Sequence, residues 1–195
     1  MSAREEIMAA VRANQPAGDF PLPETVVFPM DERGNRTEFF LHNLGVMGGS
    51  ELYVVDGLES AVQSAFPDAA VIASAVPELQ GNRDLSTVAE QADLHDVDVA
   101  VVRAVLAVGE TGSVLLADSD IVVNSLVYLA QHLVVLVDPD DIVPGLQDAY
   151  LSPEFQQHAY LAFHSGPSAT ADIEGVLIHG AQGVRTLQVA LIPRS

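Results

Sequence analysis

Residues 98–139 read DVAVVRAVLAVGETGSVLLADSDIVVNSLVYLAQHLVVLVDP. Three short apolar runs stand in this stretch, at 98–102, 113–116 and 133–137. None alternates strictly between apolar and polar residues, so each is expected to be covered on both faces, as strands of a parallel sheet between helices are. The first two flank the turn Gly109-Glu-Thr-Gly112. A helix predicted over 122–130 leads into the third, which stops at Asp138-Pro139. Strands separated by a helical segment indicate an α/β protein.

The same alternation extends outward. On the N-terminal side a helix is predicted over 37–46, ending at Gly48-Gly49, then a short buried strand at 52–55, a helix over 58–66 and a strand at 71–73. On the C-terminal side the pattern gives a helix over 143–150, a strand at 159–163 that opens into a loop at 166–174, and a last strand at 186–192. Residues 2–14 carry Ile7, Met8, Ala10 and Val11 at helical spacing behind early acids. The proline-punctuated stretch 15–23 follows. Residues 1–30 are therefore expected to be an N-terminal helix and Pro-rich arm laid over one domain, 31–195. With 195 residues, 49% of them hydrophobic, the chain can bury a full core as that single unit.

Composition removes several classes of function. A formal net charge of −19 opposes binding to nucleic acid, whose phosphates need Lys and Arg to displace counterions. It equally opposes an anionic membrane surface. The most apolar stretch, 121–137, is broken by Asn124, Ser125, Gln131 and His132, and no membrane insertion is expected. All eight basic residues are Arg, so Schiff-base chemistry on Lys is absent. Zero Cys removes disulfides, thiolate zinc sites, a cysteine nucleophile and cysteine-ligated iron–sulfur clusters from this chain. The count and the acidic, unlipophilic N-terminus fit a cytoplasmic protein without a signal peptide. The acidity itself fits either a salt-adapted source or an ordinary solubilising surface.

Two motifs carry candidate chemistry. The first runs Gly166-Pro-Ser-Ala-Thr-Ala-Asp-Ile-Glu174 and continues through Leu177-Ile-His-Gly180 to Gly183. It follows a strand and is expected to open a helix, with Thr170 as N-cap and Asp172 and Glu174 in the first turn. Backbone N–H groups between Gly166 and Thr170 could alternatively receive a carboxylate or phosphate; an ordinary capped helix is the plainer reading. The second is Gly109-Glu-Thr-Gly-Ser113, a tight turn whose Glu110 could serve as nucleophile or general base at a cleft mouth, or be a solvated turn acid.

Together, GPSxTADIE, an apolar pair and HGxxG near the C-terminus, preceded by the GETGS turn and the strands at 98–103 and 132–138, resemble the LUD-domain family, lactate-utilisation protein C group. The resemblance spans roughly residues 35–195. It implies a NagB/RpiA/CoA-transferase-like α/β fold, a mostly parallel sheet flanked by helices on both faces, with its site at the carboxyl ends of the strands. It further implies an accessory or substrate-handling role in converting L-lactate to pyruvate beside partner proteins. Iron–sulfur clusters are then expected only in those partners, with no cofactor in this chain. Two alternatives stay open: a free-standing CoA-transferase or hydrolase using Glu110, since Glu110-Thr-Gly112 resembles the E-N-G turn of CoA-transferases with Thr for Asn, and a module binding a small carboxylate or phosphorylated metabolite. Fold kinship alone does not choose among them, nor between enzyme and non-enzyme.

On this reading Glu110 is the candidate catalytic acid. Thr111, Gly112, Ser113, Gly166, Pro167, Ser168 and Thr170 are candidate ligand-binding residues, and Asp172 and Glu174 are assigned to structuring the loop. His179, in a turn before Gly180, could act near neutral pH, although a loop histidine is more often a hydrogen-bonded spacer. Arg103 or Arg185 could clamp a carboxylate, against the commoner fate of a salt bridge to one of 27 acids. His42, His95, His158 and His164 show no metal-ligand spacing, and no metal is expected. Gly45–Gly49 lacks the G-x-G-x-x-G pattern and follows a predicted helix, so it is not read as a nucleotide loop.

Overall fold

Ala100, Val102, Leu133 and Val135 are buried on one side of a sheet and Val99, Val101, Val134 and Leu136 on the other. Burial on both faces is why these runs show no polar alternation. The computed structural model describes residues 2–21, 23–27, 35–172 and 174–194. In chain order it contains α1 (Ala3–Ala13), α2 (Arg36–Val46), β1 (Ser50–Glu51), α3 (Leu58–Ala65), β2 (Ile72–Ser74), β3 (Val99–Arg103), β4 (Leu106–Val108) and β5 (Ser113–Ala117). There follow α4 (Asp118–Ile121), α5 (Leu126–Leu129), β6 (His132–Val137), β7 (Ile142–Val143), α6 (Leu146–Tyr150) and α7 (Glu154–Gln157). The chain closes with β8 (Leu161–His164), β9 (Ala169–Thr170), β10 (Ile178–His179) and β11 (Thr186–Leu191).

The central sheet has the order β1-β11-β6-β3-β2, and every pair in it is parallel. Leu58 and Val62 of α3 cover one face. Phe40 and Leu44 of α2 cover the other, together with Ala107, Val114 and Leu116 of a second sheet and Ile121 and Leu126 from α4 and α5. The fold is α/β with a mostly parallel central sheet flanked by helices. The second sheet has the order β7-β4-β5-β8, and a separate hairpin pairs β9 with β10.

The second sheet begins where the chain changes partners. Ala104 N–H still donates to Leu136 of β6, whereas Val105 N–H donates to Leu115 of β5. The apolar run from 99 to 108 is thus two strands, and β5 forms its hairpin with β4, instead of flanking the turn with β3 as expected.

Other boundaries also differ from the sequence reading. The strand expected at 52–55 is Ser50–Glu51; Leu52 N–H makes a last bond to Val189, while Tyr53 and Val55 are exposed. The helix expected over 122–130 shrinks to α5, Leu126–Leu129: α4 ends before it at Ile121, and Val122 sits at φ 61° in a γ-turn closed by Val123 N–H on Ile121 C=O. A β-branched residue rarely takes such a conformation, so nothing in the local sequence announced the break. The helix expected from 143 begins after Pro144-Gly145, because Ile142–Val143 pairs with β4 as a strand. Every described residue from 2 to 27 is exposed, and α1 buries none of its side chains. No described helix is long and apolar enough to cross a membrane.

Candidate functional site

The antiparallel pairing of β5 with β8 sets Val114 opposite His164. One step further out, Ser113 and Ser165 meet hydroxyl to hydroxyl, and Thr111 Oγ1 lies 2.7 Å from Ser113 Oγ. The strand register thereby delivers the GETGS turn directly to the start of the Gly166–Thr170 loop. Ser113 is buried, with 2% of its surface exposed.

Helix α2 supports both loops from behind. A Cβ on Gly112 would lie 2.2 Å from Leu44 N, and one on Gly166 would lie 2.0 Å from Met47 O. Gly166 also stands at φ 77°, so both backbone and space demand glycine there. Asn43 at the end of α2 donates through Nδ2 to Gly109 O at 2.7 Å. Gly48 lies against Pro167 and His179, which places the imidazole of the HGxxG segment beside the same helix end.

Glu110 faces the next element along. Its Oε2 accepts from Leu146 N–H at 3.1 Å, at the first residue of α6. Its own N–H, like that of Gly109, donates to the Val143-Pro144 segment. The acid is exposed, and its hydrogen bond in the structure is to this helix end and not to the hydroxyl cluster. A carboxylate there satisfies a free N–H of the helix start.

The Gly166–Glu174 segment does not open a helix. Thr170 lies in β9 and pairs with Ile178 of β10. Its Oγ1 donates to Asp172 Oδ2 at 2.8 Å and accepts from Asp172 N–H at 3.2 Å. The capping-type residues close a local turn in place of starting a helix, a competition such side chains commonly win. Without a helix there is no N-terminal dipole to aim at an anion. Glu174 is exposed at φ 55°. The hairpin is pinned at its base, where Ser168 N–H donates to Val184 O at 2.9 Å and Gly180 N–H to Ser168 O at 2.7 Å.

These loops gather beside the amino ends of β6 and β11, not at the carboxyl ends as expected. Val184 just precedes β11, and Arg185 N–H donates to Gln131, the residue before β6. Arg103 stands at the other end of the sheet. It is buried, ion-paired with Glu78, and donates to Ile192 O at 2.9 Å. Its role is to tie the carboxyl ends together, away from both motifs.

Ser165, Asn43 and His164 belong to the neighbourhood but were not singled out from the sequence. Ser165 lies one residue before the recognisable motif, and only the β5–β8 register reveals it. Burial pushes His164 down to about 4, and its Nε2 has no hydrogen-bond partner among the described residues. Its ring packs 5.2 Å from that of Tyr128. Tyr128 is itself pushed up to about 12, first by burial and then by its hydrogen bond with Tyr160.

A family model described as the LUD domain matches residues 68–192, a span containing both motifs and the strands that carry them. The chain belongs to the LUD-domain family. The crystal structure of a DUF162 family protein from Deinococcus radiodurans is similar in fold, with a TM-score of 0.61 and 17% identity over 84% of this chain and 99% of that one. At that identity the likeness speaks for the fold of this LUD domain alone. No curated protein matches the chain. Among the described residues no three His, Cys, Asp or Glu side chains gather so as to hold a metal ion. Membership of the family carries an association with lactate utilisation in general terms.

Proposed function

We propose that this LUD domain is an accessory, substrate-handling component of a system that oxidises L-lactate to pyruvate. In this reading a small carboxylate is held where the GETGS turn meets the Gly166–Ser168 loop. The supporting observation is the run of hydroxyls Thr111–Ser113–Ser165. Each hydroxyl has a single proton to donate, and the two internal bonds use two of the three, leaving one to point at an acceptor. Gly112, Pro167, Ser168 and Thr170 shape the rim, and His179 lies beside it. Glu110 acts as a positioning residue that fixes the turn to α6.

The chain holds no cysteine, so electrons leaving a substrate would pass to iron–sulfur clusters of partner proteins. A division between a substrate-holding subunit and electron-carrying partners accounts for a Cys-free member of such a system. The test is reconstitution of lactate-to-pyruvate turnover from the products of neighbouring genes. Omitting this chain is expected to abolish or strongly reduce turnover, and Ser113→Ala to weaken it. Turnover indifferent to the chain's presence ends the proposal.

A further inference from the structure

Leu187 and Val189 of β11 face α2, whereas Thr186 and Gln188 face the other way, toward the C-terminal end of α3. On that second face a cleft of about 480 Å3 opens at the amino ends of β3, β6 and β11. Phe66, Asp68, Asp98, His132, Arg185 and Gln188 line it. Its volume falls within the range of small-molecule sites.

The charges in the cleft are mixed. Arg185 is the cation of the lining and has no ion-pair partner among the described residues. Asp68 and Asp98 are its acids; Asp98 Oδ2 already accepts the N–H groups of Ala70 and Val71, each at 2.8 Å. Burial, and next the charge of Arg185, lower the pKa of His132, so its ring is neutral near pH 7. A simple anion drawn to Arg185 would meet two carboxylates, and a simple cation would meet the guanidinium. A ligand carrying both charges satisfies both ends, and adds no net charge to a chain of −19.

One further feature narrows the chemistry. Phe66 and His132 pack with ring centroids 4.6 Å apart and form an apolar wall. The backbone of the HGxxG segment sets the arginine in place. A Cβ on Gly180 would lie 2.4 Å from Arg185 Cγ, and Gly180 stands at φ 74°. The same motif that borders the hydroxyl cluster on one face therefore orients Arg185 toward the other.

We propose that this cleft binds a small α-amino acid with an apolar side chain, its carboxylate on Arg185, its ammonium on the Asp68–Asp98 side, and its side chain on Phe66. The proposal stands apart from the lactate reading, because it concerns the opposite face of β11. Calorimetric titration of the full chain with L-leucine and L-alanine tests it, with N-acetyl-L-leucine and L-leucinamide as probes lacking one charge each. Saturable binding of at least one amino acid is expected. Each leucine derivative, and each of Arg185→Gln and Asp68→Asn, should be weaker by about tenfold or more, since each removes a charged contact. Asp68 and Arg185 are both exposed, so both variants are expected to fold. Gly45→Ala, in open space on α2, should bind as the unsubstituted chain does. The proposal is overturned by absence of binding to both amino acids at millimolar concentration, by equal binding of N-acetyl-leucine, by an unaffected Asp68→Asn chain, or by loss in Gly45→Ala.

Discussion

Ser113 and Ser165 join hydroxyl to hydroxyl across the ends of two antiparallel strands, 52 residues apart in sequence. This contact links the two family motifs covalently distant but adjacent in space. It should be measurable as an interaction. In a double-mutant cycle of Ser113→Ala and Ser165→Ala, followed by denaturant unfolding, a coupling of about 0.5–1.5 kcal/mol is expected. Additive single effects would mean that the pair contributes nothing as a pair.

Gly166→Ala should be among the most damaging single-methyl additions in the chain. Its Cβ would enter the space of Met47 O, at a backbone φ of 77° that L side chains resist. A loss of about 2 kcal/mol or more is expected, lowering Tm by roughly 4–8 °C in a chain of this size. Gly45→Ala, with open space around it, is the control and should change little.

His164 makes stability depend on pH. Its folded value of about 4 lies below its ordinary 6.5, so the unfolded chain binds the proton more readily. The stabilisation is present above pH 6.5, declines as pH falls from there, and is gone below about 4. At ~1.4 kcal/mol for each pH unit between those values, the loss is about 3 kcal/mol. Urea titrations of the unsubstituted chain and of His164→Phe across this window should diverge in slope. Parallel curves would refute the assignment.

Val122→Gly should be neutral or stabilising, although glycine in an ordinary position costs about 0.5–1 kcal/mol of chain entropy. Holding valine at φ 61° in a γ-turn stores strain of order 1–3 kcal/mol, which glycine relieves. Thermal unfolding decides it: a fall in Tm of more than about 3 °C would show that the exposed valine side chain contributes more than its backbone loses.

Glu110→Gln keeps an oxygen for Leu146 N–H while removing the charge. Stability should change by less than about 1 kcal/mol, the scale of a helix-end charge. Lactate turnover in the reconstituted system should persist. A fall of a hundredfold or more would make the carboxylate a proton acceptor instead of a positioning group.

The strands at 99–103 and 132–137 were legible because buried parallel strands leave an uninterrupted apolar signature, and the helix at 36–46 because its flanking glycines punctuate it. Strand β4 was not, since Arg103 to Val108 contains no turn residue: the change of sheet occurs between two small or branched apolar residues, Ala104 and Val105. The Thr170-Ala-Asp172 sequence satisfied every helix-start rule, yet those rules describe side chains that bond nearby N–H groups. In a hairpin the same bonds form with a different backbone. The two site loops could be named from their motifs, but not their meeting place. That depends on register between β5 and β8, and on which end of the sheet the second layer folds toward.

The N-terminal helix has its capping box in place, and yet it buries none of its side chains among the described residues. Eleven residues are fewer than the ~12–15 that an isolated helix needs to persist in water. Its amide protons should therefore trade with deuterium almost as fast as those of a free peptide, while those of β6, enclosed on both flanks, wait for the whole domain to open. Calorimetric unfolding should accordingly register almost nothing from this helix.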